Sequence, residues 1–241
     1  MFCTFKDPKN VYELFKFISQ FETNIILECG EDGMTIFTMS NCHSVFIDVQ
    51  LPSEYFSAYE CQQHTSIGLN LNVLNMVLAN CKNASSLNMK KCKDDIIISV
   101  ESLDYSIRQV NLDKENMEVP ELEENCTMTV TPSILMQWKK NVVDFTKSTL
   151  CIEPLAQGPL LSSKSDQGMV QMRSFMKYTH YNEPEKITLG NLNINRVFGI
   201  GKVSENIEIG YKNDMPLRVQ ANMGEGTLRV FIAPCIDMEE D

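Results

Sequence analysis

Leu71-Asn72-Val73-Leu74-Asn75-Met76-Val77 returns as Leu192-Asn193-Ile194-Asn195-Arg196-Val197-Phe198, displaced by 121 residues (from 71 to 192), half of the 241-residue chain. Both copies follow a strand-like segment, Ile67-Gly68-Leu69 and Ile187-Thr188-Leu189, and both precede a strand pair, Leu87 to Glu101 and Asn206 to Ala221. The fronts of the halves correspond too: Val11-Tyr12-Glu13-Leu14-Phe15 and Ile134-Leu135-Met136-Gln137-Trp138 each open an amphipathic helix. A duplicated strand–helix–strands unit repeats a surface, so its surfaces are read before any pocket.

The first half alternates like a strand over 2–6, then Asp7 and Pro8 give the cap and first turn of a helix. Its apolar set is Val11, Leu14, Phe15, Ile18 and Phe21, with Lys9, Tyr12, Glu13, Lys16 and Gln20 expected opposite. Strands are expected at 24–29, 34–39, 44–51, 86–91, 95–101 and 104–111, with Gly30-Glu31-Asp32-Gly33 as a hairpin turn. A second helix, 71–81, buries Leu71, Leu74, Val77, Leu78 and Cys81. In the second half, Pro132-Ser133 starts a helix whose expected core face is Ile134, Leu135, Trp138, Val142 and Phe145. Strands follow near 149–153, 159–162 and 168–175, with Ser162–Gln167 as a polar turn. A helix at 192–200 presents Asn193 and Arg196 outward, and strands near 205–211, 215–222 and 227–232 close the unit.

Between the halves, Asp113 to Asn125 carries five glutamates and Pro120 without a sustained period, which reads as an extended acidic connector. The expected organisation is a domain at 1–112, a connector at 113–125 and a domain at 126–241, each domain of ordinary size.

The start of the sequence has no apolar run of signal-peptide type, and no apolar run reaches membrane-spanning length, so a soluble, unexported protein is expected. Nine cysteines without a C-x-x-C pair read as reduced, mostly packing residues of a cytosolic or nuclear protein. A net charge of −11 argues against a protein that coats nucleic acid with a basic exterior, but not against basic residues gathered on one inner surface.

Enzymatic signals are poor. Gly199-Ile200-Gly201-Lys202 lacks the first glycine of a phosphate loop, where Arg196 stands, and its Ser or Thr, where Val203 stands. Cys42-His43 and Cys61-x-x-His64 do not have a zinc spacing, and none of the three histidines has a convincing carboxylate or cysteine partner for catalysis. The repeated helices, by contrast, carry Lys9, Lys16, Lys140 and Arg196 outward, with Lys139, Lys147 and Lys202 nearby. That arrangement suits sequence-independent phosphate contacts.

The residues also resemble a known family, the DNA sliding clamps of the proliferating cell nuclear antigen type. The resemblance is carried by Met1-Phe2, Met39-x-x-x-His43, Leu51-x-Ser53-Glu54-x-Phe56-x-x-Tyr59-x-Cys61, Gly68-Leu69-Asn70-Leu71, Val119-Pro120-Glu121 and Pro132-Ser133. It is carried furthest by Met215-Pro216-Leu217 and Leu228-Arg229-Val230-Phe231-Ile232-Ala233-Pro234-x-Ile236 before an acidic tail. These matches are collinear over the whole chain.

The resemblance implies an α+β clamp fold of two tandem duplicated domains, helices on one face of curved antiparallel sheets, and assembly into a homotrimeric ring. It implies a nuclear processivity factor (or one at a cytoplasmic replication site, if viral) that encircles duplex DNA. Its implied partners are a replicative polymerase, a clamp loader and other proteins bearing a glutamine/aliphatic/aromatic peptide; no cofactor, metal or catalysis is implied. The peptide groove would use Met39, His43, Phe46, Met117, Val119, Pro120, Pro216, Phe231, Ala233, Pro234 and Ile236. The hole would be lined by Lys9, Lys16, Lys139, Lys140, Arg196 and Lys202. The subunit interface would pair Asp104, Tyr105 and Ile107 with Met169, Gln171 and Arg173. The alternatives are one subunit of a heterotrimeric checkpoint clamp and a monomeric viral processivity factor of the same fold. In many members a lysine in the hairpin after the Leu150 strand is modified; residues 148–163 hold no lysine, and Lys164 lies in a different turn.

Overall fold

Asp7 starts the first helix as its cap: its carboxylate accepts the Asn10 N–H at 3.0 Å, and Pro8 sits in the first turn, where its missing donor costs nothing. The computed structural model describes residues 1–113, 118–120, 122–182, 184–212 and 215–235. In the first half, β1 (Phe2–Phe5), α1 (Pro8–Ile18), β2 (Asn24–Gly30), β3 (Gly33–Met39), β4 (Val45–Pro52), β5 (Phe56–Glu60) and β6 (Thr65–Asn70) lead to α2 (Leu71–Leu78). Then come β7 (Leu87–Cys92), β8 (Asp95–Val100) and β9 (Leu103–Arg108). The Asn70 side chain caps α2 by accepting from the Asn72 and Val73 N–H groups.

The second half repeats the order: β10 (Cys126–Val130), α3 (Pro132–Trp138), a π-helical turn (Lys139–Val143), α4 (Asp144–Thr146), β11 (Thr149–Leu155), β12 (Gly158–Ser165), β13 (Gly168–Arg173), β14 (Tyr178–Tyr181), β15 (Ile187–Gly190), α5 (Asn191–Val197), β16 (Ile207–Tyr211), β17 (Leu217–Met223) and β18 (Gly226–Ile232). Strands β1 to β9 thus correspond one for one with β10 to β18. Neighbours run β5-β1-β7-β8-β9 and β6-β2-β3-β4 in the first repeat, and β14-β10-β16-β17-β18 and β15-β11-β12-β13 in the second. The α+β class and the duplication are as expected.

The chain divides into two compact units, one of Met1–Val119 with Asn222–Leu228, the other of Pro120–Ala221 with the stretch from Arg229. The first buries Leu14, Phe15, Phe17 and Ile18 of α1 against strands whose residues alternate between core and surface. The second is centred on Trp138, whose indole lies 6.2 Å from the Phe198 ring and donates to the Ser174 hydroxyl at 3.1 Å. In the hairpin at Gly30–Gly33, Gly33 has φ +139 and a Cβ there would meet the Leu51 carbonyl at 2.2 Å, so the turn needs glycine.

Four local expectations are corrected. Tyr12, placed on the outward face of the first helix, is only 6% exposed. β5 and β14 were not foreseen, because their residues alternate poorly between core and surface. The polar turn expected at Ser162–Gln167 is shorter, since β12 continues to Ser165 with Ser163 buried and its hydroxyl bonded to the Thr149 carbonyl. Phe145, expected in the core, is 65% exposed, while Val142 and Val143 are both buried. The π turn supplies the reason: it inserts an extra residue into the helical phase, so the i+3/i+4 stripe that reaches Val142 is rotated and Phe145 is carried outward.

Candidate functional site

The basic helix faces form in part as expected. Lys9, Lys16, Lys140 and Lys202 are exposed. The buried Tyr12 ring serves as a platform for cations: the Lys16 ammonium lies 5.1 Å from its centroid and that of Lys82, which sequence reasoning missed, 5.4 Å. A hydrogen bond to Tyr12 is the main cause that raises the Lys16 pKa. Lys139 is half-buried and donates to the Asn195 carbonyl at 3.3 Å, which ties the turn after α3 to α5. Arg196 and Asn193 are half-buried rather than outermost; Leu192, 62% exposed, is the outermost residue of α5. Val73, Met76 and Met136 are also exposed, so the helix faces mix cations with apolar side chains.

The expected peptide-binding residues fall into two sets. In the first unit, Met39 is half-buried at the end of β3, and Phe46 is buried with its ring stacked at 6.5 Å on Phe37. His43 is exposed in the loop between β3 and β4 with φ 53. Val119 is half-buried. In the second unit, Pro120, Pro216 and Pro234 are half-buried, Ala233 is exposed, and Phe231 is buried on β18. Met117 and Ile236 lie outside the described residues.

Cys42, beside His43, is an exception to the mostly packing cysteines. Its exposed thiol stands 3.4 Å from the Ser40 hydroxyl and 2.8 Å from that of Ser44. These two hydrogen bonds, that to Ser40 the larger, lower its pKa to about 7. Burial pushes Cys29 and Cys126 the other way, each up to about 12. His64, in the loop just before β6, places Nε2 3.0 Å from Glu28 Oε2 of β2, although the imidazole is largely exposed. The Gly199–Lys202 stretch closes a helix instead of opening one, in the 3-10 turn Phe198–Lys202 that follows α5.

The proposed interface residues sit on two open sheet edges. β9 ends the sheet β5-β1-β7-β8-β9 and β13 ends the sheet β13-β12-β11-β15. Asp104, Met169, Gln171 and Arg173 are exposed and Tyr105 is half-buried, its hydroxyl accepting from the Asn80 amide at 3.2 Å. Ile107 departs from the expectation, because its side chain is buried in its own unit and only its backbone is at the edge. Open edges with exposed apolar residues, here Leu103 and Met169, invite another strand.

Glu124, near the end of the acidic connector, is less solvated than expected. Glu124 is held by Arg218 through Nε–Oε1 at 2.5 Å and Nη2–Oε2 at 2.7 Å, and Arg218 reaches Glu208 as well.

A family model described as the N-terminal domain of proliferating cell nuclear antigen matches residues 4–122. Over 233 residues the chain is 25% identical to proliferating cell nuclear antigen of Chaetomium thermophilum, covering 88% of this chain and 89% of that one. Over 231 residues it is 24% identical to the DNA polymerase sliding clamp of Methanobrevibacter smithii, covering 94% of both. The crystal structure of proliferating cellular nuclear antigen from Entamoeba histolytica shares the fold with a TM-score of 0.92 over 98% of both chains, at 16% identity. With the duplicated topology, the collinear motifs and these likenesses in agreement, the chain belongs to the proliferating cell nuclear antigen family as a divergent sliding clamp.

Proposed function

We propose that this chain is a DNA polymerase processivity factor that acts as a closed homotrimeric ring around duplex DNA, tethering replication and repair enzymes without a catalytic step of its own. The observation that carries this reading is the pair of open edges, β9 and β13, in one family member. Two different edges of one chain make a heterologous interface, which either closes into a ring or grows without end. A ring retains DNA by topology, so the few cations at Lys9, Lys16, Lys139, Lys140, Arg196 and Lys202 suffice despite the net charge of −11.

In this reading the working organisation is a domain at 1–112, a connector at 113–125 and a domain at 126–241. Met39, His43, Phe46, Met117, Val119, Pro120, Pro216, Phe231, Ala233, Pro234 and Ile236 receive a partner peptide with a glutamine, an aliphatic residue and paired aromatics. An apolar floor with few polar groups suits that kind of ligand. The eukaryotic relatives support a nuclear site of action, and no helix among the described residues is long and apolar enough to cross a membrane.

The test is retention on DNA. Loaded protein should remain on a nicked circle through a salt wash and be lost when the circle is linearised. Charge reversal at Lys9, Lys16, Lys140 and Arg196 together should impair loading and retention while leaving the melting temperature nearly unchanged. Equal retention on circular and linear DNA would contradict encirclement.

A further inference from the structure

We propose that the cleft between the β7–β8 turn and the end of β9 binds an acidic peptide segment of a partner protein. The cleft belongs to the first unit alone. It uses none of the residues assigned above to the helix faces, the peptide groove or the subunit interface.

Charge marks the place. The chain carries a net charge of −11, yet Lys91, Lys93 and Arg108 line one cleft of about 530 Å³ with Gln109, Asn111 and the single carboxylate of Asp94. Lys93 and Arg108 are exposed, and none of the three cations forms an ion pair among the described residues. Asp95 stands opposite Arg108 in the β8–β9 register, but the hydrogen bond its carboxylate accepts comes from the Ser106 hydroxyl at 3.1 Å. The guanidinium therefore remains available to an incoming carboxylate. Three like charges around one cleft repel one another, and a bound anion relieves that repulsion.

The wall is fixed before any ligand arrives. Gln109 is pinned twice to the β7–β8 turn: its backbone N–H donates to the Asp94 carbonyl at 3.0 Å and its side-chain amide to the Lys93 carbonyl at 2.7 Å. The next N–H, that of Val110, donates to the Gly68 carbonyl at 2.9 Å. A Cβ on Gly68 would meet the Val110 carbonyl oxygen at 2.0 Å, so β6 clasps this stretch closely. Lys91 is held to β6 as well, donating to the Ser66 carbonyl at 3.3 Å. Such a preformed wall lowers the ordering cost of binding.

The lining selects the class of ligand. It contains no aromatic ring, so a nucleic-acid base has no stacking platform, the usual device for holding a single strand. Asp94 and Asp95 beside the cations disfavour a phosphate polymer that runs on past the cleft. A short run of carboxylate side chains fits better. Arg108 offers a fork to one carboxylate and the lysines offer point charges to its neighbours. The Asn111 amide supplies a donor and an acceptor for the peptide backbone. Contacts of this exposed kind steer a partner and speed its arrival more than they tighten the complex.

Fluorescence anisotropy of a labelled oligoglutamate peptide, titrated with the full chain, tests this. Binding should weaken with added salt and be absent for the oligoglutamine counterpart. It should fall about tenfold or more in Lys93→Glu with Arg108→Glu. Lys164→Glu with Lys186→Glu, the same charge change in the second unit, should leave it intact. The melting temperature and the sedimentation of the cleft variant should match those of the parent. If oligoglutamate does not bind, or if the control pair weakens it as much as the cleft pair does, the assignment is wrong. An altered oligomeric state in the cleft variant would assign the cleft to contacts between copies and overturn the proposal. So would an oligothymidylate that binds more tightly than oligoglutamate and is lost in the same variant. Retention on circular DNA is read separately, so failure here leaves the processivity reading standing.

Discussion

Arg218 and Glu124 form a two-pronged ion pair, Nε to Oε1 at 2.5 Å and Nη2 to Oε2 at 2.7 Å, between residues 94 positions apart. Both side chains are nearly buried, at 12% and 11% exposure. The pair fixes the end of the connector onto the β16–β17 face of its own unit. Gly210 on β16 leaves the room, since a Cβ there would meet the Glu124 carboxylate at 2.3 Å. Burial works against the guanidinium charge, but the hydrogen bonds Arg218 donates to Glu124 and Glu208 outweigh it and hold the Arg218 pKa above its ordinary value.

Arg218→Met should therefore destabilise the protein by about 3 kcal/mol, the usual cost of leaving a buried carboxylate without its partner. Adding Glu124→Gln should recover part of that loss. Chemical denaturation of the single and double variants checks this; a loss below about 1 kcal/mol for Arg218→Met would show the pair to be solvated.

Phe145→Ser should cost less than about 1 kcal/mol in the isolated chain, whereas Trp138→Ala should cost about 3–5 kcal/mol. The comparison is to be made below the association range, so that only the fold is read. A large cost at Phe145 would mean that the helix keeps its regular phase in solution.

The sequence makes the repeat, the cap at Asp7 and the alternating strands legible, because each is written within a few neighbouring residues. Phe145 was misplaced because the apolar spacing through Val142 continues to it, and the π turn that breaks the phase has no local marker in Lys139-Lys140-Asn141-Val142-Val143. Arg218 and Glu124 were invisible as a pair for a different reason: their contact depends on the strand order. Basic helix residues were legible as a set, but the Tyr12 platform was not, since a tyrosine beside a lysine reads equally well on either face.

Cys42 should be the most readily alkylated thiol near neutral pH. Its reactivity follows the thiolate fraction, which rises through about pH 7, while Cys29 and Cys126 remain protonated there with pKa values of about 12. Ser40→Ala removes the largest cause of the depression and should move the Cys42 profile to higher pH. Iodoacetamide labelling read by peptide mass against pH measures this, and a profile unaffected by Ser40→Ala would contradict the hydrogen-bond origin.

Val119→Asp should weaken binding of a glutamine/aliphatic/aromatic peptide by about 2 kcal/mol or more, roughly 30-fold, because a carboxylate on an apolar floor must lose water without gaining a partner. The variant should keep the oligomeric state of the parent. Calorimetric titration gives the affinity, and an unchanged value would move the partner site elsewhere.

The ring itself is tested most directly by sedimentation velocity of the unmodified protein across micromolar concentrations. The account predicts one discrete species of three times the 27.5 kDa chain mass, without larger assemblies as concentration rises. A lone 27.5 kDa species at every concentration, or a continuous distribution of growing polymers, would contradict it.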